Sequence, residues 1–214
     1  MSNTPLDPPY AFPDYASTVL RSPSKAMVLP PAGLTELTGP KFGQGDVRDT
    51  DADLTVHGKV TDSLGKAVRN TLVEVWQANA AGRYIHKLDQ HPAPLDPNFI
   101  GAGRCLTDDE GHYRFTTIKP GPYPWKNHHN AWRPAHIHFS LFGRAFTQRL
   151  VTQMYFPGDP LFFQDPIYNA VRDERARKRM ISRYDHAVTS PEWATGYRFD
   201  IVLDGAEATP YEGD

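Results

Sequence analysis

The stretch Leu54–Trp76, LTVHGKVTDSLGKAVRNTLVEVW, decides the fold class. Its two ends, Leu54–Val60 and Thr71–Trp76, are short runs rich in Val, Leu and Thr, and Asp62–Gly65 between them carries turn-forming residues. Short runs of this composition, bounded by turn residues, are typical of β-strands. The stretch therefore predicts a β-hairpin.

The same pattern recurs further along the chain. Gly103–Thr107 and Tyr113–Ile118 flank the turn Asp108–Gly111 and predict a second hairpin. Further predicted strands are His136–Phe142, Leu150–Phe156 and Tyr197–Leu203. Short strands without alternating helices predict an all-β protein, either an antiparallel β-sandwich or a barrel, and of these we expect the sandwich.

One helix and two long loops complete the prediction. The segment Asn169–Ala187 carries a dense run of charged side chains, which is typical of the solvated face of a helix. The loops Ala78–Ala102 and Lys119–Pro134 are rich in His, Pro and Trp. Because long loops on a rigid sheet commonly carry functional residues, we expect the site to lie there.

The beginning of the chain differs from the rest. Residues 1–50 are rich in proline and lack periodicity, so they predict an extended N-terminal arm that packs on this subunit or on a partner. For residues 1–10 a disordered tail is the alternative. Residues 51–214 are expected to form a single sandwich domain, large enough to bury a core of its own.

Charge and composition exclude several classes of function. The 23 basic and 25 acidic side chains leave a net charge of −2, which argues against a nucleic-acid partner. No apolar stretch approaches the ~18 residues that span a bilayer, so we expect no membrane partner. The single cysteine, Cys105, cannot form an intrachain disulfide, and the N-terminus lacks a signal-peptide pattern. A cytoplasmic location is therefore predicted.

The strongest local signal for chemistry is the segment Arg133–Phe139, RPAHIHF. Residues at i and i+2 of a strand point to the same face, so His136 and His138 could bind one metal ion. The pair alone fits ordinary strand residues equally well. A zinc-protease or cysteine-based zinc site is not expected, because neither of those motifs occurs. A distant carboxylate from Asp159 or Asp165 leaves a ferrous, cupin-like site as a weaker alternative.

Two loop tyrosines could complete such a site. Tyr84 lies two residues after Gly82 in the first long loop, and Tyr123 is held between prolines in the second. Packing at the end of the sandwich is the commoner fate of loop tyrosines. A phenol must lose its proton to bind a metal, which requires a strongly Lewis-acidic ion. Two phenolates and two imidazoles would suit ferric iron.

Five segments carry a resemblance to a known family. They are Leu72–Ala80, Ala93–Phe99, Gly103–Asp108, Ile118–Trp125 and Trp132–Phe139. These motifs resemble those of the intradiol ring-cleaving dioxygenases, most closely the iron-binding β type of subunit, and the likeness extends from about Tyr15 to Asp204. It implies a ferric-iron enzyme that cleaves protocatechuate with dioxygen to 3-carboxy-cis,cis-muconate.

The resemblance also implies the roles of individual residues. The four ligands of one non-haem Fe(III) per chain would be Tyr84, Tyr123, His136 and His138. Arg133, Tyr123 and Gln153 would be catalytic, with the charge of Arg133 beside the reacting ring carbon and Tyr123 taking up a substrate proton. Tyr15 would bind the substrate carboxylate. The walls of the site would be Trp76, Trp125 and Ile167.

The family pairs this type of subunit with an α chain, which implies a hetero-oligomer. The chain departs from the family pattern between Phe42 and Val56, where it is shorter, and at His91, His128 and His129. These departures keep another substituted catechol open as the substrate. A non-catalytic sandwich subunit is the alternative from another class, although all four implied ligands are present.

Overall fold

The computed structural model describes residues 53–125, 131–142 and 149–211. The predicted arm of residues 1–50 lies outside these ranges. Within these ranges, eleven strands occur in chain order: β1 (Leu54–Thr61), β2 (Leu72–Gln77), β3 (Ala102–Leu106), β4 (His112–Thr117), β5 (Tyr123–Trp125), β6 (Ala131–Arg133), β7 (His136–Phe142), β8 (Leu150–Tyr155), β9 (Arg183–Tyr184), β10 (Thr195–Arg198) and β11 (Ile201–Val202). The helices are α1 (Pro166–Ala170) and α2 (Glu174–Arg179), with 3-10 turns at Phe162–Gln164 and His186–Val188.

Two sheets form the sandwich. In the first, β1 pairs with β4 antiparallel and with β10 and β11 in parallel, and β9 pairs with β10. The second has the antiparallel order β3-β2-β7-β8. A separate ribbon joins β5 to β6. The all-β sandwich is confirmed, and the parallel pairs of β1 are an addition to the antiparallel prediction.

Both predicted hairpins are wrong. β1 pairs with β4 rather than β2, and β2 pairs with β3. A tight turn does form after β1, but the chain returns only as far as Ala67 and Val68. It then crosses to the other sheet, because β1 and β2 both bury apolar residues in the core between the two sheets.

The predicted helix Asn169–Ala187 is wrong in its extent, since only the helix Glu174–Arg179 lies wholly within it. Two short helices replace it, each begun by its own aspartate: Asp165 accepts from the backbone N–H of Ile167, and Asp173 from that of Arg175. An aspartate N-cap followed by proline, as at Asp165, starts a helix earlier than the charge run suggested. The end of the predicted helix is strand β9.

Strand β7 contributes side chains to the core from one face and to the candidate site from the other. Ile137, Phe139 and Leu141 point inward and are fully buried in the core. His136 and His138 occupy the alternate positions and face away from it. Within the described ranges, no helix is long and apolar enough to cross a membrane.

Candidate metal centre

The two histidines lie on the outer face of the second sheet. His138 stands between Trp76 on β2 and Gln153 on β8, and His136 is opposite Tyr155. The ring of Trp76 stacks on that of His138, with centroids 4.8 Å apart and planes inclined by 4°. The i, i+2 spacing therefore puts both imidazoles on one face, as the sequence predicted.

The loop after β2 brings Tyr84 over this face. Asn79 begins the loop, and its side-chain oxygen accepts from the backbone N–H groups of Ala81 and Arg83 at 3.0 and 2.9 Å. The backbone N–H of Tyr84 then donates to Asp89 at 2.8 Å. An asparagine that closes a turn on its own backbone fixes the loop without a helix or strand.

Two glycines let the loops of Tyr84 and Tyr123 pack against each other. A Cβ atom at Gly82, whose φ is +76°, would lie 2.3 Å from the carbonyl oxygen of Pro122. A Cβ atom at Gly121 would lie equally close to a backbone oxygen of the Tyr84 loop, at 2.3 Å. Only glycine permits such an approach. The two phenol rings consequently meet edge to face, with centroids 5.5 Å apart.

The polar atoms of the four side chains converge. The hydroxyl of Tyr84 lies 3.1 Å from Nε2 of His138 and 3.4 Å from Nε2 of His136, and the hydroxyl of Tyr123 lies 3.5 Å from Nε2 of His136. Ligands bonded at about 2 Å to one metal ion lie about 2.8 to 3.5 Å from each other when their bonds enclose 90° to 120°. This set of donors therefore fits a single ion.

The surroundings of His136 suit a metal ligand. Its Nδ1 donates to the carbonyl oxygen of Pro134 at 2.7 Å, which leaves the lone pair of Nε2 facing Tyr84 and Tyr123. Burial, reinforced by the charge of Arg133 and by His138, holds the pKa of His136 well below its usual value. The imidazole is thus neutral and able to coordinate.

Arg133 lies beside the cluster in a buried network. Its Nε is 2.9 Å from Oδ1 of Asp165, and its NH1 donates to the hydroxyl of Tyr123 at 3.5 Å. Its NH2 donates to Oε1 of Gln153 and to the hydroxyl of Tyr155. Burial acts to lower the pKa of Arg133, but the negative potential of Tyr123, Tyr155 and Asp165 outweighs it and raises the pKa. The guanidinium therefore keeps its charge at the site.

The other predicted residues lie at different distances from the cluster. Trp125 is buried, and its ring lies 5.8 Å from the guanidinium carbon of Arg133. Ile167 is on α1, where its backbone N–H bonds Asp165 and so joins the network indirectly. Tyr15 lies outside the described residues, as do His128 and His129.

The carboxylates considered for a ferrous site are engaged elsewhere. Asp159 accepts from the backbone N–H groups of Ala135 and Leu161, and Asp165 pairs with Arg133. In the parts of the chain that the structure describes, no three His, Cys, Asp or Glu side chains form a group suited to a metal. The other donor atoms that meet the two histidines are the hydroxyls of Tyr84 and Tyr123.

Sequence reasoning missed several residues that build the site. Asn79, Gly82 and Gly121 shape the loops, and Tyr155 and Asp165 hold Arg133. A partial signal existed for Tyr155, which lies two residues after Gln153 on the same face of β8. Asp165 was considered only as a distant ligand of a ferrous site, and its position before Pro166 indicates a helix cap and not an ion pair with Arg133.

Two family models match the chain. Residues 35–205 match the model described as "Dioxygenase". Residues 8–31 match the model described as "Protocatechuate 3,4-dioxygenase beta subunit N terminal".

Individual relatives agree with these matches. The chain is 57% identical over 223 positions to the protocatechuate 3,4-dioxygenase beta chain of Burkholderia cepacia, covering 97% of this chain and 94% of that one. It is 31% identical to the protocatechuate 3,4-dioxygenase alpha chain of Pseudomonas putida, over 72% of each chain. The solved catechol 1,2-dioxygenase from Acinetobacter sp. ADP1, inhibited by bound mercury, matches with a TM-score of 0.53 and 26% identity, over 71% of this chain and 52% of that one.

Proposed function

The chain belongs to the intradiol dioxygenase family, and from that premise we propose that it is the iron-binding β chain of a protocatechuate 3,4-dioxygenase. The proposed reaction cleaves the aromatic ring of protocatechuate between its two hydroxyl groups. Both atoms of one dioxygen molecule enter the product, 3-carboxy-cis,cis-muconate, so no further reductant is needed.

One observation carries the proposal. The hydroxyl groups of Tyr84 and Tyr123 meet Nε2 of His136 and His138 at 3.1 to 3.5 Å. We assign these four atoms as the ligands of one non-haem ferric ion, because phenolate oxygens are hard anionic donors that favour a strongly Lewis-acidic ion. When bound, ferric iron would hold the diol in its deprotonated form and make the ring reactive toward dioxygen.

The residues of this chain have separate tasks in that reaction. Of the two proposed phenolate ligands, Tyr123 is assigned the uptake of a proton from a substrate hydroxyl, as the family resemblance implies, and NH1 of Arg133 donates to its oxygen at 3.5 Å. Arg133 supplies a fixed positive charge where negative charge develops on the substrate. Gln153 faces the same side of the sheet as His138 and offers an amide there. Trp76, Trp125 and Ile167 are assigned to the walls of the site, and Tyr15 to the substrate carboxylate.

The first test is a visible absorption spectrum of the purified protein with its iron quantified. We expect a phenolate-to-iron charge-transfer band at about one iron per chain, and a shift to longer wavelength when protocatechuate is added without oxygen. Tyr84→Phe should weaken the band and change its wavelength. The matched control is Tyr184→Phe, a half-exposed tyrosine outside the site, which should leave the band unchanged. A colourless protein after iron reconstitution with an α partner would refute the proposed ligands.

Substrate choice needs its own measurement. Steady-state kcat/KM values for protocatechuate, catechol and 4-sulfocatechol should rank protocatechuate first. A higher value for either of the other two would replace the proposed substrate with another substituted catechol.

We further propose that the chain works with an α chain. The support is that the Burkholderia cepacia relative is a beta chain, together with the similarity of this chain to the alpha chain of Pseudomonas putida. Expression with and without an α chain, followed by light scattering and assay, should give a hetero-oligomer and high activity only for the pair. Full activity of this chain by itself would contradict the proposal. A cytoplasmic location belongs to the same proposal and can be checked by cell fractionation.

A further inference from the structure

The geometry points to Asp165 as a positioning residue for Arg133. In this inference, which rests on the proposed function, Asp165 holds the guanidinium so that its two NH2 groups face Tyr123 and Gln153. The carboxylate of Asp165 contacts Arg133, the hydroxyl of Tyr155 and the backbone N–H of Ile167. Its effect on the reaction would pass through Arg133 and through the hydroxyl of Tyr155.

The first support is that both charged side chains of the ion pair are buried away from solvent. Side-chain exposure is 3% for Arg133 and 0% for Asp165, so each charge has lost its hydration. A buried ion pair repays that loss only with good geometry and additional hydrogen bonds, and an apolar pair of the same volume is often as stable. Pure stabilisation of the core therefore does not explain an ion pair at this position.

The second support is that different edges of the Arg133 guanidinium contact different partners. The Nε atom lies 2.9 Å from Oδ1 of Asp165, although its N–H is not aligned for a hydrogen bond. The carboxylate thus holds one edge of the guanidinium by charge. The opposite edge is left to donate to Tyr123 and Gln153.

The carboxylate is fixed by contacts of its own. Oδ1 accepts from the backbone N–H of Ile167 at 2.9 Å, and Oδ2 lies 3.0 Å from the hydroxyl of Tyr155. The carboxylate cannot rotate without losing the cap of helix α1. The position of Arg133 is therefore tied to the start of that helix.

Tyr155 extends the network to Gln153. Its hydroxyl lies 2.8 Å from Oε1 of Gln153 and accepts from Arg133 at 3.3 Å. Since Arg133 also donates to Oε1, the amide of Gln153 can have only one orientation, with its oxygen toward Arg133. The amide nitrogen is buried and makes no hydrogen bond among the described residues. Asp165 and Tyr155 together thereby keep the N–H groups of Gln153 available to a ligand.

The test uses the full chain, loaded with iron and assembled with its α chain. Asp165→Asn removes the charge and keeps the size and the capping ability of the side chain. We expect kcat to fall about 100-fold, as for loss of a positioned charge at a reacting centre. Iron content, the visible band and the anaerobic affinity for protocatechuate should change less than about threefold, because the ligands are untouched. Asp173→Asn, at the cap of α2, is the matched control and should leave kcat unchanged.

A double-variant comparison separates positioning from general structural support. In an Arg133→Gln background, Asp165→Asn should change kcat less than about threefold, because its effect passes through Arg133. An equal fall in both backgrounds would overturn the inference, and so would an unchanged kcat in the single variant.

Tyr155→Phe gives a second route if Asp165→Asn does not fold. It removes one hydroxyl and no charge, and we expect kcat to fall about tenfold in the wild-type background and to stay level in the Arg133→Gln background. The same fall in both backgrounds would overturn the inference. Absence of the visible band in the unsubstituted enzyme would instead refute the proposed function, so the two failures are distinguishable.

Discussion

The two faces of the sheet β3-β2-β7-β8 are formed by the same strands. Both faces are buried to almost the same extent, but different parts of the molecule cover them. On the inner face, Ile137 and Phe139 pack against the opposite sheet. On the outer face, His136 and His138 are covered by the aromatic side chains of two loops. Burial alone therefore does not distinguish a core from a site.

The difference lies in how much each face depends on exact placement. An apolar core tolerates substitutions of similar volume, because dispersion and the hydrophobic effect have little directionality. Four donor atoms that must meet within a few tenths of an ångström tolerate almost none. We therefore expect substitutions on the inner face to change stability and leave the chemistry intact, and those near the outer face to change the chemistry whether or not they also reduce stability.

Phe139→Ala should have the largest effect. The ring is fully buried and contacts Tyr113, Phe115 and Phe199, with centroids 5.8, 5.9 and 5.1 Å away. Its removal leaves a cavity, and we expect the free energy of unfolding to fall by about 3–5 kcal/mol in urea denaturation.

The control for Phe139→Ala is Phe163→Ala, because Phe163 is 74% exposed. It should change the free energy of unfolding by less than about 0.5 kcal/mol. Equal losses for both variants would contradict the assignment of the core to the inner face.

Gly121→Ala tests the outer face without touching a proposed ligand. The added methyl group would press on a backbone oxygen of the Tyr84 loop and push the two tyrosines apart. We expect a loss of about 1–3 kcal/mol in stability, together with loss of most of the charge-transfer band.

Gly103→Ala is the matched control for that variant. A Cβ atom at Gly103 would meet only a methyl group of Val75, at 3.9 Å, and should be accepted. A full band in Gly121→Ala at normal iron content would show that the close approach of the loops is not needed for the site.

Tyr113→Phe should have a smaller effect, confined to stability. The hydroxyl of Tyr113 donates to the carbonyl oxygen of Phe199 inside the core, and its loss leaves that oxygen buried without this partner. We expect a loss of about 1 kcal/mol with kcat unchanged. Tyr155 is the comparison on the outer side, since Tyr155→Phe should slow turnover. A fall in kcat for Tyr113→Phe would break the separation of the two faces.

Local patterns predicted the longer strands and the shared face of His136 and His138, but not the short strands β5, β6 and β9. The strand β7 and its two histidines follow from alternation along a single segment, which is local information. Pairing between strands is not local, and both hairpins were wrong because the turns at Asp62–Gly65 and Asp108–Gly111 join different sheets. Such turn sequences describe how the chain reverses, and not which strand it meets afterwards.

The rest of the site depends on contacts between distant segments. Tyr84 and Tyr123 were candidates from their places in the two loops, but only the family resemblance assigned them as ligands, since nothing in their spacing brings two loops together. The closeness of those loops depends on Gly82 and Gly121 meeting backbone atoms of the facing loop. The ion pair between Arg133 and Asp165 joins β6 to the start of α1, and no periodicity relates these two positions.

The reactivity of the Cys105 thiol tests how well the inner face is protected from solvent, and it carries the smallest expected effect. It lies on β3 opposite Val73, whose side chain is in the core, and it packs against the core from the inner side. Burial raises the pKa of its thiol to about 11, while a hydrogen bond from the backbone of Arg114 acts weakly the other way. A raised pKa keeps the thiol protonated at pH 8, so the reactive thiolate should be about 100-fold scarcer than in a free cysteine.

A disulfide reagent whose reaction with thiols is followed by absorbance should therefore label the native protein slowly and the unfolded protein rapidly. Because Cys105 is the single cysteine of the chain, the signal has one source. Labelling of the native protein at the rate of the unfolded protein would mean that β3 opens readily. The inner face would then be less stable against local opening than the outer face.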